Sequence, residues 1–585
     1  MKIKHYFGLA VIAAMTASCS SNEDLGAAGP GTGTNEAGVG YATFTINLPS
    51  TNGTRAGDPT YDQGTAKEYD VNDVTLLIFQ KTATSTSEGD YTFVEKADLG
   101  NMAPWKAEGA NGITASATIT AKLSSVALTS EGSKSDYYAL AILNNNADEH
   151  GEGGKVKLPT TGTYSTWNDA SNTDVAKFTV NTNGFYMANA PVFVAGGEPT
   201  TLVNIDKVYA TKQKAETNAA TTIHVERGLA KVSIASNAFP STALKPTGTK
   251  YNKDEVKITA WNLDVTNKST FPIHKTAGLK NTNFSTIWSN TASTTGASVT
   301  RFVDGSNPSF KRVHWGIDPN YSDDLTTVAD CENAFNILPA NGKIDGAADK
   351  PQYCLENTFD IEHMKQGQTT RVVFKATYKP NGFTAGETFY KIGNSTDLWN
   401  EANLKAQIAA KAAEVLGVAE TEIIVDLEAN KLNEAGTRLL TVDNVKIKDS
   451  STAGSHAVSP DNINDINAKL GLKAAGTDPI VGIATYKSGE SYYIARIKHF
   501  DALTPWAEGQ ETYGANNDAN NTKYLGRYGV LRNNWYELTI GSVSGPGTPD
   551  VPTIKPDEPD DESYKYISVS VKILSWAKRS QSVDL

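Results

Sequence analysis

The sequence predicts an all-β protein made of β-sandwich domains with long loops and a minor helix, and three observations support that fold class. Thr, Ser, Asn, Gly and Ala dominate the composition and aromatic residues reach 9%, a mixture that favours strands and turns. Short segments alternate apolar and polar residues with period two, and long polar loops separate them. The length of 585 residues exceeds what one hydrophobic core supports, so two or three domains are expected.

The charge balance of the chain is acidic. Lys and Arg number 53 against 65 Asp and Glu, which gives a formal net charge of −12. An acidic chain is a poor ligand for polyanions, so nucleic acid is excluded as a partner. Solubility alone is the simplest interpretation of this charge.

The N-terminus carries an export signal. A positively charged start precedes a short apolar run at residues 6–14, which is too short to span a bilayer as a helix. Residues 1–18 are therefore predicted to be a signal peptide. The run Thr16-Ala17-Ser18-Cys19 resembles a bacterial lipobox, which implies that Cys19 is lipidated and anchors the chain to a membrane. An ordinary secretory signal with an incidental cysteine is the alternative.

The first predicted strand follows a Gly-, Ala- and Ser-rich tether. Its apolar positions are Ala42, Phe44, Ile46 and Leu48, and its polar positions are Thr43, Thr45 and Asn47. This period-two pattern indicates a strand with one buried face. Further strands are predicted at residues 74–79, 137–143, 223–234, 256–265, 371–378, 492–497 and 535–540.

One helix is predicted, from Leu398 to Leu416. Thr396 or Asp397 is expected to cap its start and Gly417 to end it. The face shared by its apolar residues contains Leu404, Ile408, Ala412 and Val415. We interpret it as a structural helix packed on a sandwich.

Cys331 and Cys354 are the cysteines that remain after Cys19. Export places these cysteines in an oxidising environment where a disulfide can form. A disulfide between them would contribute about 3 kcal/mol to stability. Two unrelated thiols are the alternative. No histidine lies at a spacing that would complete a zinc site with them.

The sequence offers no catalytic, cofactor-binding or metal-binding motif. None of the eight histidines lies two or four residues from another, and neither a G-x-S-x-G elbow nor a Walker loop is present. The chain is therefore predicted not to be an enzyme and to need no cofactor.

The C-terminus combines a linker with a last strand. Residues 542–563 contain five prolines among acidic residues, which predicts an extended, solvated linker. Residues 564–585 follow it. Their apolar positions, Ile567, Val569, Val571 and Ile573, alternate as those of the first strand do.

Arg55 lies between the first strand and the rest of the chain, and it is the only arginine before Arg227. An arginine-specific protease cutting between Arg55 and Ala56 would remove residues 19–55 together with the first strand. The groove left behind would present open strand edges, which the last strand of another copy could fill. Contacts between different surfaces of identical subunits form an open, head-to-tail filament. The alternative is that each terminal strand completes its own sandwich.

Five landmarks make the chain resemble the shaft fimbrillin of Bacteroidales minor fimbriae, which are type V pili. They are the lipoprotein start, Arg55-Ala56-Gly57-Asp58, Val225-Glu226-Arg227-Gly228-Leu229-Ala230-Lys231, Val530-Leu531-Arg532-Asn533-Asn534-Trp535-Tyr536, and the ending from Ile567 through Trp576 to Val583-Asp584-Leu585. The resemblance implies two transthyretin-like β-sandwich domains, residues 56–221 and 222–541.

The same resemblance implies how the protein is made and used. The lipidated precursor is expected at the cell outer membrane, where an arginine-specific protease cleaves it. The product is expected to polymerise into a surface fimbrium by exchange of its C-terminal donor strand. Pilus anchor and tip subunits and host or bacterial surface ligands are the implied partners in adhesion. The alternative is a lipid-anchored adhesin or glycan-binding surface lipoprotein, acting as a pilus tip or anchor.

Overall fold

The computed structural model describes the greater part of the chain. The described residues are 39–48, 61–62, 68, 70–101, 116–145, 155–170, 184–193, 199–235, 243–277, 312–321, 325–393, 395–429, 437–449, 454–473, 481–499, 526–560 and 567–576. Strands dominate them, which confirms the predicted all-β class.

The elements follow one another along the chain in three groups. The first group is β1 (Gly40–Asn47), β2 (Tyr61–Asp62), β3 (Asp73–Gln80), β4 (Thr92–Asn101), β5 (Ser116–Leu123), β6 (Tyr137–Leu143), α1 (Tyr164–Ala170), β7 (Met187–Asn189), β8 (Val203–Asn204), α2 (Lys212–Glu216) and β9 (Thr221–Arg227). The second is β10 (Leu229–Ile234), β11 (Glu255–Asp264), β12 (Thr266–Asn267), α3 (Val328–Ala334), β13 (Phe335–Asn336), β14 (Gln352–Leu355) and β15 (Arg371–Lys379). The third is β16 (Phe389–Ile392), β17 (Leu398–Trp399), α4 (Glu401–Leu416), β18 (Ile423–Val425), β19 (Thr437–Arg438), β20 (Val445–Lys448), β21 (Ser455–Ala457), α5 (Pro460–Lys469), β22 (Ile483–Tyr486), β23 (Glu490–Arg496), β24 (Asn534–Val543) and β25 (Ile567–Trp576).

The first sandwich is an eight-stranded sheet in the order β4-β3-β6-β7-β9-β1-β5, with β8 paired to β6. The core between its two halves joins the inward residues of β1, β5 and β9 to those of β3 and β6. A second cluster covers the other face of β3 and β6 and includes Leu229, Ile273 and Leu355. β3 and β6 are therefore buried on both faces, which explains their nearly continuous apolar sequence.

The second sandwich packs a five-stranded sheet, β14-β10-β24-β25-β2, against a three-stranded sheet, β11-β15-β23. Its core draws on both sheets and includes Val232, Trp261, Phe374 and Tyr536. The strands predicted at 256–265, 371–378, 492–497 and 535–540 correspond to β11, β15, β23 and β24.

The chain passes from the first sandwich to the second at Gly228. The sequence predicted one strand over 223–234, and the family resemblance implied a domain boundary between residues 221 and 222, whereas the structure has two strands. β9 pairs with β7 up to Arg227, and β10 pairs with β14 and β24 from Leu229 onward. An apolar pattern that continues across a sheet change cannot reveal the break, because both strands bury the same kinds of residue.

The predicted minor helix belongs to an insertion with its own core. α4 begins after Asn400, whose side chain accepts a hydrogen bond from the amide of Asn403, rather than after Thr396 or Asp397. It ends at Gly417 in the left-handed conformation, as expected. Leu404, Ile408 and Ala412 are buried against α5 and strands β16 to β22.

Candidate assembly site

The first strand lies inside its sheet, with a hydrogen-bonded neighbour on each side. Every residue of β1 from Gly40 to Asn47 pairs with β5 in antiparallel register. Phe44 to Asn47 also pair in parallel register with β9. Removing β1 would therefore open a cleft between β5 and β9, whereas removing an edge strand would only make the sheet one strand narrower.

The inward face of β1 is fully buried. The exposed fractions of Ala42, Phe44, Ile46 and Leu48 are 1%, 0%, 0% and 2%. All four residues belong to the core of the first sandwich, as the alternation predicted. Burying the three large side chains contributes roughly 5–9 kcal/mol gross.

The outer face of β1 carries two hydroxyl pairs. Thr43 Oγ1 lies 2.9 Å from Thr120 Oγ1, and Thr45 Oγ1 lies 3.0 Å from Thr118 Oγ1. These residues are directly opposite each other in the β1–β5 register. Cross-strand hydroxyl pairs of this kind favour one register over its neighbours.

The start of β1 is closely enclosed. Tyr41 and Tyr209 exchange two backbone hydrogen bonds of 2.8 Å. A Cβ atom at Gly40 would lie 2.3 Å from Cγ1 of Val208, so no larger residue fits there without movement of the chain.

Glu68 ties the chain that follows the predicted cleavage site to the second sandwich. Cys19, Arg55 and Ala56 themselves lie outside the described residues. The Glu68 carboxylate lies 2.9 Å from Nζ of Lys231 and accepts a hydrogen bond from the Tyr353 hydroxyl. Its carbonyl accepts a 2.8 Å hydrogen bond from Nε of Arg227, and Glu68 is 1% exposed.

The last strand lies in the second sandwich of its own chain. β25 pairs antiparallel with β24 from Ile567, opposite Val543, to Ser575, opposite Asn534. On its other side, only Ser575 and Trp576 pair with the short β2. The two strands of matching pattern, β1 and β25, therefore belong to different sheets.

The predicted solvated linker is wrong for the part described up to Asp560. Residues 545–560, which we call the strap, pack along the second sandwich. Thr548 and Tyr492 exchange two backbone hydrogen bonds of 2.9 Å, and Val551 and Ile554 are 2% and 3% exposed. Asp560 is 1% exposed and accepts a hydrogen bond from the Thr369 hydroxyl. Proline content predicted an extended backbone, but these apolar and backbone contacts hold it against the body.

A buried charged network joins the two sandwiches, and sequence analysis missed it. Nε of Arg312 donates a 2.8 Å hydrogen bond to Glu226 on β9, and Nδ1 of His274 lies 3.0 Å from the same carboxylate. Arg532 forms an ion pair with Glu356. Burial alone would raise the pKa of Glu226, but the charges of Arg312 and His274 lower it to about 2.

The predicted disulfide is not formed. Cys331 and Cys354 are free, buried thiols, and each packs in a different cluster. Cys331, on α3, contacts Leu325 and Phe335, whereas Cys354, on β14, lies in the core of the second sandwich. Burial raises the pKa of Cys331 to about 11 and that of Cys354 to about 12.

Within the part of the chain that the structure describes, no group of three or more His, Cys, Asp or Glu residues is placed to hold a metal ion. No helix there is both long and apolar enough to cross a membrane.

The C-terminal region is similar to a known protein family. Residues 484–582, which contain β23, β24, the strap and β25, match the family model described as "Major fimbrial subunit protein type IV, Fimbrillin, C-terminal". This match confirms the predicted resemblance to fimbrillins. The comparison with curated proteins finds no match.

Several solved structures align with the chain at low similarity. A candidate cell adhesion protein from Parabacteroides distasonis aligns with 92% of this chain and 100% of its own, at 11% identity and a TM-score of 0.36. The tip fimbrial protein Mfa3 from Porphyromonas gingivalis, with a C-terminal truncation, aligns with 92% and 100% at 11% identity and a TM-score of 0.24.

Proposed function

We propose that this chain, which carries a fimbrillin C-terminal region over residues 484–582, is the shaft subunit of a surface fimbria and polymerises by donor-strand exchange. In this proposal Cys19 is lipidated and holds the precursor at the cell outer membrane. An arginine-specific protease cuts between Arg55 and Ala56 and releases β1 with the anchor. The last strand of another copy, through Ile567, Val569, Val571 and Ile573, then fills the vacated cleft.

The position of β1 carries the proposal. This strand is the only described element that precedes Arg55, and it lies between two paired strands. Its loss would leave two strand edges and an apolar face open to water, a combination that recruits another strand. The ladder hydrogen bonds of the new strand would contribute about 1 kcal/mol each.

The placement of β25 supports a contact between subunits. β25 belongs to the second sandwich, so the vacancy and the strand that would fill it are separate features of one chain. A head-to-tail exchange between such features produces an open fibre when the rotation from one subunit to the next does not close a ring. Pilus anchor and tip subunits and host or bacterial surface ligands are the further partners proposed for this fibre.

The decisive experiment replaces the arginine of the cleavage site. Arg55→Ala is expected to leave the surface protein starting at Cys19 and to abolish the fibre ladder on a denaturing gel. The neighbouring Thr54→Ala is the matched control and should give fibres whose subunits start at Ala56. N-terminal sequencing and the ladder are the measurements. Normal fibres from Arg55→Ala would remove the cleavage step from the proposal.

A second experiment removes the strand that is donated. Deletion of residues 564–585 is expected to stop chain growth while the subunit still folds and is still processed, because the core residues described for the two sandwiches lie outside the deleted segment. Circular dichroism and N-terminal sequencing check folding and cleavage. Wild-type fibre lengths after this deletion would exclude β25 as the donor.

The second candidate function is a lipid-anchored adhesin or glycan-binding lipoprotein at the fibre tip or base. It is favoured by the uncut chain itself, in which β1 fills its own cleft and β25 pairs within its own sheet. Such a chain needs no neighbour to be complete. Retention of residues 19–55 on the mature wild-type surface protein would favour this candidate over the shaft subunit.

A further inference from the structure

We infer a single register for the exchange: the segment Tyr566–Ile573 of one copy takes the place of Tyr41–Leu48 in the next, residue for residue, with Thr118 and Thr120 as the partners that fix it. The inference rests on the proposed strand exchange. It adds which donor residue meets which acceptor residue.

The two segments carry the same pattern over eight positions. Each begins with a tyrosine, and each then places apolar residues at every second position. In this register Ile567, Val569, Val571 and Ile573 stand at the places of Ala42, Phe44, Ile46 and Leu48. All four of those places are at most 2% exposed, so each accepts only an apolar side chain at low cost.

Shifts by two residues in either direction are unfavourable. A shift in one direction puts Ser575 at the place of Leu48 and Leu574 at the half-exposed place of Asn47. The opposite shift puts Lys565 at the place of Ala42, which is 1% exposed. Burial of an unpaired lysine is expensive. Shifts by one residue would turn every apolar side chain to the outer face.

The outer face favours the same register. Ser568 and Ser570 stand where Thr43 and Thr45 lie, so their hydroxyls meet Thr120 and Thr118 as the threonines of β1 do. A donor entering in the opposite direction would set Lys572 against Thr120. The hydroxyl pairs therefore select direction as well as register.

The entry end limits how far the donor follows the path of β1. Lys565 would come to the place of Gly40, where a Cβ atom would lie 2.3 Å from Cγ1 of Val208. The donor chain must therefore lie off the path of β1 up to Lys565 and follow that path only from Tyr566 onward. The inserted segment begins at the tyrosine that the two ends share.

Cysteine pairs across the subunit boundary test the register. Fibres are made from the full chain carrying Thr118→Cys with Ser570→Cys and are oxidised mildly. They are then boiled and separated on a denaturing gel without reductant. A covalent ladder is expected. The matched variant, Thr118→Cys with Ser568→Cys, should give at least about tenfold less cross-linked product. In this register residue 568 lies two positions from the partner of residue 118, which is beyond disulfide reach. Thr120→Cys with Ser568→Cys should again give a ladder.

The native thiols are shielded while the folded fibres are oxidised, because Cys331 and Cys354 are 0% and 2% exposed. A ladder strongest for Thr118→Cys with Ser568→Cys would overturn the register and leave strand exchange intact. Fibres that form without a bond from residue 118 or 120 to any donor position would overturn both. A map of the wild-type fibre gives the same decision without cysteines: Ser570 opposite Thr118 is expected, and any other residue there refutes the inference.

Discussion

The strands at the two ends of this protein share a pattern but differ in how their sheets hold them. β1 has paired neighbours on both sides, with β5 along its whole length and β9 along half of it. β25 is paired along its length with β24 only, and its other edge meets just two residues of β2. A strand held along one edge separates with fewer broken hydrogen bonds than a strand held along two. β25 can therefore separate from its sheet without a break in the chain, whereas β1 is lost only when the chain is cut.

The largest expected effect comes from preventing β25 from leaving. Glu537 and Lys572 are opposite each other in the β24–β25 register, so Glu537→Cys with Lys572→Cys would fasten the strand when oxidised. We expect fibre growth to stop and to resume on reduction. Fibre length measured by electron microscopy checks this outcome.

The strap provides the control for that lock. Tyr492→Cys with Thr548→Cys would fasten the strap instead, at a pair that already exchanges two backbone hydrogen bonds. This variant should assemble as the wild type does, since the strap precedes the strand that moves. Equal growth of the locked β24–β25 variant would mean that β25 stays where it is.

The next largest effect separates precursor from fibre. Phe44→Ala should lower the free energy of unfolding of the precursor by about 3–5 kcal/mol, because Phe44 is fully buried. Mature fibres should dissociate at the wild-type temperature, since processing removes this residue. Phe374→Ala, at a buried site of the second sandwich, should weaken both. Urea unfolding of the precursor and thermal dissociation of fibres are the measurements, and weaker Phe44→Ala fibres would contradict loss of β1.

The charged network between the sandwiches should stabilise the protein by a comparable amount. Processing should not change this contribution. Glu226→Gln should lower the free energy of unfolding by about 3 kcal/mol, because Arg312 would lose its buried partner. The folded pKa of Glu226, about 2, lies below the ordinary value of 4.5. Its stabilising contribution is therefore complete above pH 4.5 and is lost as the pH falls towards 2.

Urea unfolding between pH 2 and pH 6 measures that contribution. The variant should lose part of the acid sensitivity of the wild type. Glu255→Gln is the surface control, because its carboxylate pairs with Lys245 in an exposed position, and it should change little. An unaltered acid profile in Glu226→Gln would refute the role assigned to this carboxylate.

The smallest effect concerns the outer face of β1. Thr118→Val removes one hydroxyl of an exposed pair, and we expect it to lower precursor stability by no more than about 0.5 kcal/mol. A loss of several kcal/mol in Thr118→Val would mean that the outer face of β1 stabilises the precursor far more than one exposed hydroxyl pair should.

Much of the architecture was predictable because it depends on neighbours in sequence. The alternation from Ala42 to Leu48 predicted which face of β1 is buried, and Gly417 marked the end of α4. Both features arise from local geometry, the two-residue repeat of a strand and the left-handed turn that ends a helix. The start of α4 was misplaced because several residues before Glu401 could serve as caps.

The sequence by itself determined the all-β class, the inward face of β1 and the matching pattern of β25, since each is written in residues a few positions apart. Only the tertiary structure decided that the chain changes sheets at Gly228, that the strap is packed, that Cys331 and Cys354 stay apart, and that Glu226 meets Arg312. These outcomes depend on contacts between residues distant along the chain, whose burial and pairing arise only when the sheets come together.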